Sequence, residues 1–153
     1  TPDDPALSPA QPYPGISDKV KAVIDFYGIT DLGSRKKTDP DGQPTEPRGM
    51  NEEDQAVFGP EADGWKKASP VSHLGRNVPP TLIVHGKNDT TVDRDQSQQL
   101  ADALRKEGAE VELVWLNQAG HSFSLLYGNP REKKNPLEKD LGPIVLRFLK
   151  KYL

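Results

Sequence analysis

The sequence contains no cysteine among its 153 residues. This absence excludes disulfide bonds, thiolate metal ligands and a cysteine nucleophile, and it is compatible with either a reducing or an oxidising compartment. Hydrophobic residues make up only 33% of the chain, whereas 28% of the residues are charged. The length suits one domain, but the composition is polar for a chain that has to build its whole core alone.

The sequence also lacks an excess of basic residues and any long apolar run. Twenty Lys and Arg residues stand against 23 Asp and Glu residues, which gives a net charge of −3. Proteins that bind nucleic acid or an anionic membrane surface usually present a basic face. The apolar runs are far shorter than the ~20 residues that span a bilayer. We therefore expect no nucleic-acid partner and no membrane partner.

Proline is concentrated at the beginning of the sequence, where five of the first 15 residues are prolines. Such a stretch forms neither a regular helix nor a sheet ladder, because proline has no backbone N–H and a fixed φ angle. Residues 1–19 are therefore predicted to be an exposed loop or linker. Residues 20–153 are predicted to form one folded unit.

Strand and helix patterns alternate along the rest of the chain. The predicted strands are residues 20–27, 80–85 and 110–116. The predicted helices are a short one capped by Asn51 and ending near Phe58, a turn at 61–67, one over 94–107 capped by Asp93 and ended by Gly108, and a terminal one over 141–153. Residues 28–47 are predicted to be a long loop. This order predicts an α/β fold with a mostly parallel sheet and flanking helices.

A sheet of only three parallel strands has two apolar faces that must be buried. Parallel sheets are normally buried on both faces, and this chain has few helices to bury them. An apolar strand edge would also remain unpaired, and such an edge favours aggregation when the chain is alone. The pattern therefore indicates that a partner segment completes the sheet.

Two loops at predicted strand ends carry side chains that are typical of acid–base catalysis. Residues 85–89 (HGKND) follow one apolar run and end in Asp89, and residues 117–121 (NQAGH) follow the next run and end in His121. The carboxyl ends of parallel strands meet at one edge of a sheet, so these side chains are expected to lie close together. An acid followed by a histidine is the chain order of the last two members of a Ser-Asp-His triad.

Five segments in chain order resemble the α/β-hydrolase superfamily. They resemble in particular the carboxyl-terminal half of feruloyl and acetyl-xylan esterases and of lipase-like carboxylesterases. The segments are 20–32 (sixth core strand and its loop), 68–74 (before the seventh strand), 82–92 (the H-G-x-x-D-x-x-V acid loop), 95–104 (the next helix) and 118–123 (the histidine loop). Serine hydrolases of the prolyl-oligopeptidase type share the last three features and stay an alternative.

The resemblance implies that Asp89 is the triad acid and His121 the base. A serine hydroxyl needs a base to take its proton, and the base needs an acceptor to hold its tautomer. His85 and His73 are expected to be structural, so that their replacement leaves the chemical step largely intact. The rival acids Asp93 and Asp95 are interpreted as helix-start residues, because acidic side chains favour the positive end of a helix dipole.

The nucleophile elbow G-x-S-x-G is absent from the sequence. Residues 120–124 (GHSFS) begin like an elbow, but serine replaces the last glycine and no histidine follows Ser122. The resemblance therefore implies no nucleophile in this chain. It implies as partner an amino-terminal fragment of the same hydrolase that carries G-x-S-x-G and extends the sheet beside residues 20–27. The chain alone is expected to be inactive, and the substrate of the whole is expected to be a small-molecule ester.

Other site types have less support in the sequence. Asp89, Asp93 and Asp95 are close in sequence, but no H-E-x-x-H or paired-histidine spacing accompanies them. Residues 39–42 (DPDG) lack the glutamate and spacing of a calcium loop, and no phosphate-binding glycine loop is present. We therefore expect no metal and no cofactor. A non-catalytic hydrolase-like scaffold remains the alternative from a different functional class.

Overall fold

The computed structural model describes residues 19–75, 77–123 and 140–153. The predicted linker at residues 1–19 lies almost entirely outside this part of the chain. The elements follow in this order: β1 (Val23–Phe26), β2 (Lys36–Thr38), β3 (Pro44–Pro47), α1 (Glu52–Phe58), α2 (Ala62–Ala68), a 3-10 turn (Pro70–His73), β4 (Thr81–Gly86), α3 (Asp95–Lys106), β5 (Val111–Leu116) and α4 (Leu141–Tyr152).

Three of these strands form a parallel sheet in the order β1-β4-β5. β5 pairs with the whole of β4, from Thr81 opposite Val111 to Gly86 opposite Leu116. β1 pairs with β4 on the other side, also in parallel. The predicted α/β class with a mostly parallel sheet is therefore confirmed, and the carboxyl ends of β4 and β5 lie side by side.

The central strand β4 is buried along its whole length and separates two apolar clusters. Leu82 and Val84 pack in one cluster with Phe148 of α4. Ile83 packs in the other cluster with Leu104 of α3. The two helices therefore cover opposite faces of the sheet. Neither α3 nor α4, nor any other helix within the described ranges, has the length and apolar character to cross a bilayer.

The strand β1 forms one edge of this sheet and is shorter than the predicted residues 20–27. Val20 lies before it and is 63% exposed, and Val23 within it is 36% exposed. Within the described residues, no strand pairs with the outer side of β1. The predicted apolar edge is therefore present in this part of the chain.

The prediction of a long loop over residues 28–47 is wrong, because this segment contains the antiparallel hairpin of β2 and β3. The Asp39 side chain accepts hydrogen bonds from the backbone N–H groups of Asp41 and Gln43 and so organises the turn. Gly42 has a φ of +76° in this turn, a left-handed conformation that favours glycine. Turn chemistry of this kind forms the hairpin without the apolar alternation by which strands are recognised.

Two predicted helix ends are confirmed. The Asn51 side chain accepts a hydrogen bond from the Asp54 N–H, and the Asp54 carboxylate accepts one from the Asn51 backbone N–H, which completes a capping box. Gly108, with a φ of +83°, ends α3. The Ala109 N–H bonds to the Leu104 carbonyl there, as in a Schellman motif.

The predicted N-cap of α3 is wrong. Asp93 does not cap the helix, because its carboxylate accepts the Lys36 N–H of the β2-β3 hairpin at 2.9 Å. Arg94 occupies the N-cap position in a helical conformation and makes no side-chain capping bond. The Asp93 carboxylate therefore bonds to a segment 57 residues earlier in the chain instead of capping its own helix.

Candidate catalytic site

Two backbone hydrogen bonds connect the acid loop after β4 with the histidine loop after β5. The Lys87 N–H donates to the Leu116 carbonyl at 2.8 Å, and the Asn88 N–H donates to the Ala119 carbonyl at 3.0 Å. Both loops leave the same edge of the sheet, and these bonds fix their relative position. The candidate site is therefore built on rigid strand ends.

Gly86 permits this close approach. A Cβ atom at position 86 would lie 2.2 Å from the Ala119 carbonyl oxygen, a distance that no side chain tolerates. The glycine of the H-G-x-x-D sequence therefore serves the packing of one loop on the other.

Asp89 is completely buried, and both of its carboxylate oxygens have partners. Oδ1 accepts the backbone N–H groups of Thr91 at 2.8 Å and Val92 at 2.9 Å. Oδ2 lies 2.8 Å from Nδ1 of His121 and 3.3 Å from Nε2 of His85. The structure therefore brings the two residues of the predicted pair together, with a second imidazole beside them.

The surroundings of Asp89 determine its charge. Burial raises the pKa of this carboxyl, but hydrogen bonds from His85, Val92, His121 and Thr91 lower it and outweigh burial, so the pKa falls from 3.8 to about 2. Asp89 is therefore ionised at neutral pH and can only accept hydrogen bonds.

The contact with Asp89 determines the tautomer of His121. Because the carboxylate only accepts, Nδ1 of His121 carries the hydrogen, and Nε2 is left as the proton acceptor. The His121 side chain is 29% exposed. This combination of an oriented imidazole and partial access is what a general base requires.

Two residues with unusual backbone conformations flank His121. Tyr27 and Ser122 have φ angles of +45° and +66°, which non-glycine residues rarely adopt. The Tyr27 ring lies 4.4 Å, centroid to centroid, from the His121 ring, and it also contacts the Phe123 ring edge-on. Sequence reasoning missed Tyr27, because it placed this residue in the predicted strand of residues 20–27 and gave it no role at the site. Its place at the carboxyl end of that strand was the available signal.

The other two histidines have mainly structural contacts. His85 is fully buried and contacts Ser97 and Val92. His73 ends the 3-10 turn, and its Nε2 lies 2.6 Å from the Lys67 carbonyl oxygen. Of the three histidines, His121 is the one that combines a contact to Asp89 with an exposed side chain.

The rival acids lie outside the Asp89–His121 pair. Asp93 bonds the Lys36 backbone, and Asp95 forms an ion pair with Lys36 Nζ at 2.7 Å. Burial raises the pKa of Asp93, and one of its oxygens has no hydrogen-bond partner among the described residues. In the part of the chain that the structure describes, no group of three His, Cys, Asp or Glu side chains could hold a metal ion.

Comparison with known proteins identifies relatives whose names describe ester hydrolases. The BD-FAE family profile matches residues 10–104, a range that includes the acid loop. LipM, a probable carboxylic ester hydrolase of Mycobacterium tuberculosis, is 28% identical over 128 residues, which cover 82% of this chain and 28% of LipM. Esterase LipC of the same organism is 29% identical over 133 residues, which cover 84% of this chain and 31% of LipC. This chain therefore spans less than a third of either curated relative.

A solved structure gives the same fold. A thermophilic esterase from Thermogutta terrifontis with bound propionate superposes with a TM-score of 0.62 at 23% identity, over 96% of this chain and 48% of that protein. At this identity the likeness shows the fold alone, and it confirms the carboxyl-terminal part of an α/β-hydrolase fold. Because the family profile matches well over half of its residues, the chain belongs to the BD-FAE family.

Proposed function

We propose that this chain supplies the triad acid and base of a serine carboxylic ester hydrolase. The observation that carries the proposal is the 2.8 Å contact between Nδ1 of His121 and the buried carboxylate of Asp89 at neighbouring strand ends. The two Mycobacterium tuberculosis relatives, whose names describe ester hydrolases, support it.

The chemistry is acyl transfer in two steps. Nε2 of His121 takes the proton of an attacking serine hydroxyl while the serine oxygen bonds to the ester carbonyl carbon. Asp89 stabilises the imidazolium that forms. His121 then gives the proton to the departing alcohol oxygen, and the ester C–O bond breaks. In the second step His121 takes a proton from water while the water oxygen bonds to the acyl carbon. His121 then returns this proton to the serine oxygen as the acyl–serine bond breaks, which releases the acid and restores the serine.

We place the nucleophile in an amino-terminal segment of the same hydrolase that carries G-x-S-x-G. Ser122 is a poor candidate, because it follows Asp89 and His121 instead of preceding them and because residues 120–124 lack the last glycine of an elbow. The relatives have more than twice the length that this chain covers, which leaves room for such a segment. The unpaired outer side of β1 is where its strands would extend the sheet. The oxyanion hole would come from the same segment.

In the complete protein, residues 20–153 would form the carboxyl-terminal part of the hydrolase domain, and residues 1–19 would be its linker. The substrate class is a small-molecule carboxylic ester, and carbohydrate esters are the subclass that the sequence resemblance implies. The reaction needs no cofactor, since the serine, the imidazole and water supply every atom that is transferred.

The peptidase and scaffold alternatives have weaker support. The two curated relatives matched over more than 80% of this chain have the names of ester hydrolases. A non-catalytic scaffold would have no need for a buried, ionised carboxylate whose second oxygen contacts a partly exposed imidazole. The peptidase alternative predicts that peptide-type amides are also cleaved, with the same dependence on His121.

The test uses the complete hydrolase, which is this chain together with the serine-bearing segment. We expect it to hydrolyse p-nitrophenyl acetate and acetylated xylo-oligosaccharides and to leave an N-acetylamino acid p-nitroanilide uncleaved. The His121→Ala variant should lose the ester activity, whereas His73→Ala should keep it. Cleavage of the anilide that is lost in His121→Ala would favour the peptidase, and equal ester hydrolysis by wild type and His121→Ala would favour the scaffold.

A further inference from the structure

The triad acid has a second imidazole neighbour that the mechanism above does not use. His85 lies near the end of β4 and its side chain is completely buried. Its Nε2 lies 3.3 Å from Oδ2 of Asp89 and 3.1 Å from the Val92 carbonyl oxygen. Its Nδ1 lies 2.6 Å from Oγ of Ser97 on α3. A chain of contacts therefore runs from Ser97 through His85 and Asp89 to His121.

The partners of His85 determine where its hydrogen lies. Both atoms near Nε2, the Val92 carbonyl oxygen and the ionised Asp89 oxygen, can only accept. Nε2 therefore carries a hydrogen and shares it between them. The hydroxyl of Ser97 can donate to Nδ1, which holds the ring in this tautomer. The buried ring thus presents an N–H group to the same oxygen that receives the hydrogen of His121.

We propose that His85 is a positioning residue for the triad acid, and that Ser97 holds His85 in the tautomer that donates to Asp89. This inference rests on the proposed function, because it matters for catalysis only if Asp89 and His121 act as acid and base. It revises the expectation from sequence that replacement of His85 leaves the chemical step intact.

The geometry gives His85 a task that the backbone does not perform. The two backbone N–H groups that Asp89 receives both bond to Oδ1. In the described part of the chain, the two imidazoles are the groups near Oδ2, and His121 gains and loses a proton during the reaction. The His85 N–H is therefore the fixed donor that keeps Oδ2 directed at His121. Loss of this donor removes the fixed restraint on Oδ2 while Oδ1 stays bonded to the backbone, and a displacement of about 1 Å in such a group can cost on the order of 10²-fold in rate.

Other charged groups face His85 from the elements around it. Asp25 on β1 and Asp93 before α3 both interact electrostatically with His85, and each has an oxygen without a hydrogen-bond partner in the described part of the chain. The Trp115 ring of β5 lies 6.0 Å from the His85 ring. His85 is therefore surrounded by carboxyl groups, but Asp89 is the one within 3.3 Å of its Nε2.

The experiment compares variants of the complete hydrolase by kcat per active site, counted by titration with an organophosphonate. His85→Leu removes the donor, and we expect kcat to fall roughly 10–100-fold while KM changes by less than about twofold. His85→Gln keeps an N–H donor near the position of Nε2 and should recover most of this loss. Ser97→Ala should give an intermediate kcat. The matched control His73→Leu should behave as wild type.

The same substitutions in an Asp89→Asn background separate positioning from a general structural role. If His85 acts through Asp89, His85→Leu should cause no further loss in that background. A full additional loss there, or wild-type kcat per titrated site for His85→Leu, overturns the proposal. If His85→Leu does not fold, His85→Gln and Ser97→Ala carry the test, and wild-type kcat for Ser97→Ala overturns it. The proposed function fails separately, if His121→Ala retains ester hydrolysis.

Discussion

The acid loop and the histidine loop hold their key side chains in different ways. Asp89 is completely buried and has four donors around its two oxygens. His121 is 29% exposed, and within the described residues Asp89 is the one side chain that forms a hydrogen bond with it. The acid is thus fixed from several directions, and the base is oriented from one direction and left accessible. Asp89 therefore fixes the geometry of the pair, and His121 is the member that can contact a reactant.

The largest expected effect comes from removing the charge on the fixed side of the pair. Asp89→Asn keeps the size of the side chain but presents an N–H group or an uncharged oxygen to His121, so the imidazole loses its tautomer control. We expect kcat of the complete hydrolase to fall on the order of 10⁴-fold, which is the loss that the equivalent change causes in a serine-protease triad. Steady-state ester hydrolysis measures it. Asp95→Asn, which lies outside the pair, is the matched control and should keep its activity.

The next effect comes from separating the two loops. Gly86→Ala places a Cβ atom against the Ala119 carbonyl oxygen, so one loop has to move. We expect the free energy of unfolding to fall by about 3 kcal/mol or more, with a loss of activity in the folded fraction. Gly75→Ala is the control, because a Cβ at position 75 meets no atom within 4 Å. Equal stability of the two variants would show that the loops do not need this close approach.

A smaller effect should appear in the dependence of stability on pH. The pKa of Asp89 in the folded state, about 2, lies below the ordinary 3.8, so its ionised form stabilises the fold. This contribution, about 2 kcal/mol, is fully present above about pH 4 and is lost as the pH falls toward 2. Urea unfolding of wild type and Asp89→Asn should therefore show a difference that shrinks between those pH values.

Asp93 offers the opposite sign for the same measurement. Burial raises the pKa of Asp93 in the folded state, so ionisation of Asp93 disfavours folding. The stability of wild type relative to Asp93→Asn should therefore increase as the pH falls through the range where Asp93 becomes protonated. Parallel pH dependences for the Asp89 and Asp93 variants would contradict the charge assignment at both positions.

The smallest effect concerns the hairpin that lies against the acid loop. Gly42 and Gly49 both have positive φ angles, +76° and +69°, so alanine costs backbone strain at either position. A Cβ at Gly42 would also lie 2.6 Å from backbone atoms of Asn88, whereas a Cβ at Gly49 would meet no atom within 4 Å. We expect Gly42→Ala to be less stable than Gly49→Ala by about 1–2 kcal/mol. Equal stability in thermal unfolding would show that the hairpin does not press on the acid loop.

The sequence predicted the parts of the fold that depend on local patterns. The strand β4 and the loop to Asp89 follow from an apolar run that ends in turn residues, and the Asn51 capping box and the Gly108 stop follow from capping chemistry. The contact between Asp89 and His121 was expected because parallel strands end at one edge. These features need only neighbouring residues or one topological rule.

The features that the sequence did not predict depend on contacts between distant segments. Asp93 has the sequence position of an N-cap, but its carboxylate accepts the backbone N–H of Lys36 in the hairpin. The hairpin lacks the alternation of apolar and polar residues that predicts a strand. His85 was correctly expected to be packed, yet its 3.3 Å contact to Asp89 depends on how residues 89–92 turn back over the strand end. Spacing along the chain does not contain that information.

The central claim is that Asp89 and His121 activate a serine that lies outside this chain. A fluorophosphonate probe, which bonds to activated serines, tests it most directly in the complete hydrolase, with the labelled residue located by peptide mass spectrometry. We expect rapid labelling of a serine in a G-x-S-x-G sequence outside residues 1–153, and loss of labelling in His121→Ala. Labelling of Ser122, or equally fast labelling in wild type and His121→Ala, would contradict the account.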